Sequence, residues 1–281
     1  MTTNMNAHVI PLAGVIGHPI AHSRSPLLHK HWLRTYGLAG DYVPLHVSEL
    51  DLETVLRALP LMGFVGVNIT IPHKVAVMDI VDHISDRAIL IGAANTLIFR
   101  ADGKIHADNT DGYGFIANLK QNAPGWQASA GPAAVLGAGG AARAVITSLI
   151  EMGATEILLS NRTRPKADAL KSEFGSKVHV IDWVQAGNMM EEATTVVNTT
   201  SLGMTGAAEF RVPLDGLRPG TVVTDLVYTP LRTRFLTEAQ AAGCITVDGL
   251  GMLLHQAVPA FERWFGIRPE VDDATRAAVL A

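Results

Sequence analysis

Strand-like and helix-like patterns alternate along this chain from end to end. Residues 11–16, Pro-Leu-Ala-Gly-Val-Ile, read as a buried strand, and residues 26–36 as a helix. Strands are predicted at 41–47 and 66–71, separated by a helix over 50–61. Pro72 opens a predicted helix over 72–81. Residues 96–99 and 104–106 flank Asp102-Gly103 as the arms of a hairpin. A helix over 114–122 precedes a loop of Pro, Gly, Ser and Ala at 123–131. Strands follow at 133–136, 156–160, 178–180, 195–198, 222–225 and 245–247, with a helix over 143–152 after the first of them. Near the end, residues 249–266 form a helix with a broad apolar face. Met252, Gln256, Ala260 and Trp264 make one i,i+4 row, and Leu253, Ala257, Phe261 and Phe265 the next. That face either returns to the first half of the chain or closes the second. No pattern assigns the segment from Val271 onward, with Asp272 and Asp273, to a packed element. Alternating βα units imply an α/β fold of two domains with mostly parallel sheets and helices on both faces.

The most informative unit lies in mid-chain. The strand 133–136 runs into Gly137-Ala-Gly139-Gly140-Ala-Ala142, then a helix, then the strand ending at Ser160. Gly137 permits the tight turn, Gly139 lets backbone approach a pyrophosphate, and Ala142 allows close helix–strand packing. The pyrophosphate then meets unpaired N–H groups at a helix N-terminus. An NAD site places an acid about 20 residues after such glycines, to accept from the ribose 2′-hydroxyl. Here Asn161 stands there, followed by Arg162, Arg164 and Lys166. Cations without a carboxylate suit a 2′-phosphate, so the unit reads as one for NADP rather than NAD.

Composition narrows the setting. With 281 residues, 48% hydrophobic and 17% charged, the chain suits a well-buried globular protein. A net charge of −4 argues against nucleic acid or an anionic membrane as the main partner. One cysteine, Cys244, excludes an internal disulfide and fits a reducing, cytoplasmic compartment. The N-terminus lacks a basic n-region, and the longest apolar stretch, 88–99, is broken by Gly92, Asn95 and Thr96 and is too short to span a bilayer. Eleven histidines lack any His-Glu-x-x-His or Cys/His spacing, so no metal site is expected.

Three constellations carry chemistry. In His22-Ser-Arg-Ser-Pro26, Ser25 is placed to cap a helix with Pro26 at its first position. With Ser23 it also makes a helix N-terminus bearing two hydroxyls, a good carboxylate site. In Asn68-Ile-Thr-Ile-Pro-His-Lys74, strand alternation puts Val67, Ile69 and Ile71 on one face and Asn68 and Thr70 on the other. Lys74 would then fall in the first turn of the 72–81 helix. The positive end of the macrodipole there would lower its pKa and poise it as an acid/base. Asp108-Asn-Thr-Asp-Gly112 precedes a helix that Thr110 or Asp111 could cap; alternatively a carboxylate of this turn lies near Lys74, orients its ammonium and shares its proton. Asn95 is either a turn residue or an amide facing the same cleft.

These motifs, with Gly92-Ala-Ala-Asn-Thr, Asn161-Arg-Thr, Asn198-Thr-Thr-Ser-Leu-Gly-Met and Gly249-Leu-Gly-Met-Leu-Leu-His-Gln, follow one another from about Leu12 to Gly266 as they do in the NADP-dependent shikimate/quinate dehydrogenases, which the chain resembles. The resemblance implies a substrate-binding and catalytic domain over 1–112, a Rossmann-like NADP domain over 113–247, and C-terminal helices over 248–281 returning to the first. It implies reversible reduction of 3-dehydroshikimate to shikimate with NADPH, on the route to chorismate and the aromatic amino acids. Lys74 and Asp111 would be the catalytic pair. Ser23 and Ser25 would hold the substrate carboxylate, and Asn68, Thr70, Asn95, Asp111 and Gln256 its ring hydroxyls, with Tyr228 lining the same side. Gly137, Ala138, Gly139, Gly140 and Ala141 would cradle the pyrophosphate, with Thr199 close by. Asn161, Arg162 and Thr163 would hold the adenosine phosphate end, joined by Arg164 or Lys166, and Gly249 and Met252 would lie near the nicotinamide.

In this reading Lys74 gives a proton to the C3 oxygen as hydride arrives, help worth about 10²–10⁴-fold. The expected partner is a small-molecule substrate, with neither nucleic acid nor membrane, and the protein a monomer or homodimer. The alternatives are a quinate/shikimate or aminoshikimate dehydrogenase and a non-enzymatic NADP sensor. The Ser, Lys and Asp motifs outside the cofactor unit speak against the sensor.

Overall fold

A computed structural model describes residues 10–281. They divide into two compact units, one running through Thr110 and resuming at Ala257–Ala281, the other Asp111–Gln256.

The first unit contains β1 (Leu12–Gly17), α1 (Ser25–Thr35), β2 (Asp41–His46), α2 (Leu52–Ala58), β3 (Phe64–Ile69), β4 (His83–Ile84), α3 (Asp86–Ile91), β5 (Thr96–Phe99) and β6 (Ile105–Asp108). The strands form one sheet in the order β2-β1-β3-β5-β6-β4. β2, β1 and β3 are parallel, whereas the β5–β6 hairpin runs antiparallel to β3. Val67 and Ile69 are buried, but Ile71 is 70% exposed, because β3 ends at Ile69 and the alternation ends with it. The predicted 72–81 helix does not form. Residues 71–75 are turns, followed by one 3₁₀ turn at Ala76–Asp79. β4 and α3 carry no clear periodicity, and the sequence reading lacked both.

The second unit contains α4 (Asp111–Asn122), β7 (Ala133–Leu136), α5 (Gly140–Glu151), β8 (Ile157–Ser160), α6 (Arg164–Phe174), β9 (Val178–Ile181), β10 (Thr195–Asn198), β11 (Val222–Asp225), α7 (Arg234–Ala241) and β12 (Ile245–Val247). Its sheet is parallel throughout, in the order β12-β11-β10-β7-β8-β9. β7 and β10 are buried at every position, which is why they read as short apolar runs. The chain starts at β7, works outward to β9, then returns to β10 on the other side. The reversal makes a switch point at the carboxyl ends of β7 and β10, where open α/β sheets bind ligands.

α8 (Leu250–Phe265) contributes to both units. Met252 packs with Phe115 and Leu119 in the core of the second, and Ala260 and Trp264 pack with Ala13, Val15 and Tyr42 in the first. The two destinations open to its apolar face are therefore both used, by different halves of the helix. The unit boundary falls at Gln256, inside α8, rather than at 247. α9 (Asp273–Leu280) is capped by Asp272, whose Oδ1 accepts from the Thr275 amide at 2.7 Å. Among the described residues no helix is long and apolar enough to cross a membrane.

Candidate active site

The serine turn follows β1. α1 begins at Ser25 with Pro26 in its first turn, and the cap residue is Arg24, which makes no side-chain cap bond. Ser25 is therefore not the cap that its place before proline suggests. Ser23 Oγ instead accepts from the Ser25 amide at 3.3 Å. The Ser25 hydroxyl is buried and bonds the Tyr42 hydroxyl, which donates to Asn68 Oδ1 at 2.8 Å. Tyr42 is fully buried, and burial holds its pKa well above the usual tyrosine value. His29 stacks on its ring at 4.0 Å and 5°. Burial pushes that imidazole down to about 3, so it is a neutral aromatic wedge beneath Tyr42. Sequence reasoning placed Tyr42 on a strand and gave it no role. A hydroxyl-bearing aromatic at an inward strand position was the available signal.

At the end of β3, Asn68 Nδ2 donates to the Asn95 carbonyl at 3.0 Å and to Thr96 Oγ1 at 3.2 Å. With Tyr42 on Oδ1, the Asn68 amide is pinned and retains one acceptor lone pair. Thr70 lies just past the strand end beside Gly17, where an added Cβ would stand 2.6 Å from Thr70 Cγ2. Lys74 is half-buried in the turns that replace the predicted helix, so the helix-dipole argument for it falls. A different constraint places it: the Lys74 carbonyl accepts from the Ala94 amide at 2.8 Å. The next residue, Asn95, is 2% exposed. Its Oδ1 accepts from the Thr110 amide at 2.9 Å, and its Nδ2 donates to Thr110 Oγ1 at 3.0 Å. Thr110 thus clasps Asn95. Asp111 follows as the first residue of that helix and is 4% exposed.

Asp108 anchors the same turn. It accepts from Ser85 Oγ and Arg87 Nη2, each at 2.7 Å, and from the Asn109 amide at 2.8 Å. Burial raises its pKa, but the Ser85 and Arg87 bonds and the Arg87 charge outweigh that and hold the carboxyl below its ordinary value. The first aspartate of the Asp-Asn-Thr-Asp turn is therefore an anchor. Ser23, Ser25, Asn68, Thr70, Lys74 and Asn95 all lie at the carboxyl end of β1, around the end of β3 or just ahead of β5.

In the second unit Gly137 has φ +109, and a Cβ there would stand 2.5 Å from Thr199 Oγ1, so glycine is required. Thr199 closes the turn, its Oγ1 donating to the Leu136 carbonyl at 2.7 Å. Gly139 is the cap residue of α5 without a side-chain cap bond, and no protein atom stands within 4 Å of a Cβ built on it. Ala138, Gly140 and Ala141 line this helix start, half-buried. Open amides at a helix N-terminus on the switch point fit a dinucleotide pyrophosphate.

At the end of β8, Asn161 Nδ2 donates to the Thr163 carbonyl at 2.8 Å. Arg164 is held by Asp182 and, at 3.6 Å, by Asp168. Exposed Arg162 and Lys166 form no ion pair among the described residues. Past β11, Tyr228 is half-buried. A Cβ on Gly249 would lie 2.5 Å from the Leu226 carbonyl oxygen, so this glycine lets the two segments touch. Gln256 is 9% exposed and donates to the Leu253 carbonyl at 3.2 Å, while Met252 is buried in the core. Asp225, unassigned by the sequence reading, accepts from Asn198 Nδ2, Thr233 Oγ1 and the Val227 amide at 2.9, 2.7 and 3.0 Å. No cation is among these donors, and burial pushes its pKa up to about 6.

Comparison with known proteins extends this geometry. Three family profiles match: "Shikimate dehydrogenase substrate binding domain" over 15–97, "Shikimate / quinate 5-dehydrogenase" over 119–205, and "Shikimate 5'-dehydrogenase C-terminal domain" over 249–280. The shikimate dehydrogenase (NADP(+)) of Cereibacter sphaeroides is 72% identical over 272 residues, 97% of this chain and 98% of that protein. The crystal structure of shikimate 5-dehydrogenase from Thermus thermophilus, in complex with NADP(H) and shikimate, is 38% identical with a TM-score of 0.85, covering 96% of this chain and 98% of that one. Quinate dehydrogenase from Corynebacterium glutamicum, in complex with NAD, is 32% identical with a TM-score of 0.87, covering 96% and 98%.

Proposed function

This chain belongs to the shikimate dehydrogenase family, and from that premise we propose that Lys74 is the general acid and base of its reaction, with Asp111 as partner. The enzyme interconverts 3-dehydroshikimate and shikimate using NADP(H). NADPH, when bound, supplies hydride to the C3 carbonyl carbon. Lys74 supplies the matching proton to the C3 oxygen, so the ketone becomes the alcohol; in the oxidative direction Lys74 takes that proton back. Asp111 orients the ammonium and accepts from a ring hydroxyl.

The observation that carries this reading is one path made of hydrogen bonds and the peptide links between them. It leads from the Lys74 carbonyl to Ala94, on to Asn95, and from the Asn95 amide to Thr110, which precedes Asp111. It fixes the backbone on which the lysine stands to the turn that carries the carboxylate. Ser23 and Ser25 hold the substrate carboxylate. Asn68, Thr70, Asn95, Tyr228 and Gln256 meet the hydroxyls, Asn68 through the lone pair it retains. Gly137 to Ala141 hold the pyrophosphate. Arg162 and Lys166, unpaired among the described residues, take the 2′-phosphate, whereas Arg164 is already held by two acids. Gly249 and Met252 flank the nicotinamide. A cytoplasmic setting and a monomer or homodimer complete the proposal, the first supported by a single buried free thiol, Cys244.

Stopped-flow oxidation of NADPH on adding 3-dehydroshikimate, set beside shikimate and quinate each with NADP+ and NAD+, tests this. The expected result is rapid turnover with shikimate and NADP+ and weak turnover with quinate or NAD+. Equal use of NAD+ would remove the role given to Arg162 and Lys166.

A further inference from the structure

The C-terminal arm is tied to α1 at three levels. The Glu270 amide donates to the Tyr36 hydroxyl, just past the end of α1, at 3.1 Å. One turn earlier, Trp32 Nε1 donates to Thr275 Oγ1 at 3.3 Å. Before the first turn of α1, the Arg24 guanidinium donates through Nη1 to the Val279 carbonyl. α9 therefore runs antiparallel to α1, and its C-terminal end arrives at the serine turn. The Val279 carbonyl belongs to the last turn of α9, whose oxygens have no partner within their own helix, and a guanidinium is the complement to that negative end.

Arg24 stands between Ser23 and Ser25, and as the cap residue of α1 it sets the angle at which the turn enters the helix. Neither flanking serine caps α1 through its side chain. The turn is held from within by the Ser23 amide, which donates to the Ile20 carbonyl at 3.0 Å, and by the Ser25 amide, which donates to Ser23 Oγ at 3.3 Å, while Arg24 ties it to α9. We propose that Arg24 is a positioning residue: by clamping the C-terminal end of α9, it fixes the turn that presents the Ser23 and Ser25 hydroxyls to the substrate carboxylate. This rests on the reading that those serines bind the carboxylate. A displacement of about 1 Å in such a contact can cost about 10²-fold, so a clamp on the far end of the chain bears directly on affinity.

The test compares Arg24→Met with a chain ended after Ala277, which lacks the Val279 carbonyl. Each raises KM for shikimate about tenfold and leaves kcat and KM for NADP+ within about twofold. Combined, they give no further rise, because both remove one contact. Arg24→Lys, which keeps a cation and a donor, recovers most of the affinity. Thr275→Val, in the full-length chain, loosens the same arm and raises the same KM about threefold, so the idea stays testable if the shortened chain does not fold. If the two main changes multiply, or if the shortened chain binds shikimate normally while Arg24→Met does not, Arg24 acts on the substrate directly and the clamp is wrong. Ser25→Ala separates the layers. An unchanged shikimate KM there removes the carboxylate reading itself; a raised KM there with a normal Arg24→Met removes only the clamp.

Discussion

The carboxyl ends of the two sheets are built from different materials. In the first unit, polar side chains hold one another. Tyr42 fixes Asn68, Asn68 reaches Asn95 and Thr96, and Asn95 clasps Thr110. In the second, side chains are withdrawn: Gly137 turns the chain, Gly139 leaves space, and the amides of α5 are open. A small polyol differing from its relatives by single hydroxyls calls for the first arrangement, since a site built to pair a hydroxyl rejects an analogue lacking it. A pyrophosphate, offering only negative oxygens, is served by backbone N–H groups and a helix end. Two of the buried aspartates, Asp108 and Asp225, repeat the contrast. Asp108 has Arg87 beside it and stays below its ordinary pKa, while Asp225, with neutral donors only, is pushed up to about 6.

The largest expected effect lies in the first unit. Lys74→Ala lowers kcat by about 10²–10⁴-fold while KM for NADPH stays within about twofold. Near-normal turnover of that variant would end the assignment. Breaking the second unit takes the opposite change, adding an atom. Gly137→Ala forces a Cβ onto φ +109 and to 2.5 Å from Thr199 Oγ1. A cost of about 2–3 kcal/mol follows, read as a fall of about 4–8 °C in melting temperature together with weakened NADP+ binding. An unshifted melt would mean that the turn is more pliant than its geometry indicates.

Asp225 gives a pH signature. Its folded pKa of about 6 lies above the unfolded value, so its stabilising share is full below the unfolded pKa and is lost as pH rises through 6. Relative to Asp225→Asn, the wild-type protein should lose about 2 kcal/mol of stability between pH 4 and pH 7 in urea titrations. A pH-independent difference would show that the three donors hold the carboxylate ionised. Asp108 contributes with the opposite sign, its stabilisation being lost as pH falls. The smallest effect sharpens the side-chain half of the comparison. Tyr42→Phe leaves Asn68 Oδ1 without its donor, lowers stability by about 1 kcal/mol and raises KM for shikimate more than KM for NADP+. Equal changes in the two constants would confine Tyr42 to packing.

Much of this was legible before any coordinates. The glycine turn, the parallel strands around it and the order of the motifs were readable because turn angles and strand alternation are properties of neighbouring residues. The strands at 195–198, 222–225 and 245–247 match β10, β11 and β12 residue for residue. Other features were set at a distance. Whether Pro72 starts a helix depended on how β3 ends, and Ser25 before Pro26 met the local rule for a cap yet turned its hydroxyl to Tyr42. The apolar face of α8 was plain in the sequence, but its division between two cores was not. The unassigned tail became α9 only because α1 offered Trp32, Tyr36 and Arg24 to receive it. The sequence alone determined what each segment was able to do locally. The tertiary structure decided which polar group met which, because a buried donor takes whichever acceptor packing brings within reach, and packing joins residues 15, 26 or 255 positions apart.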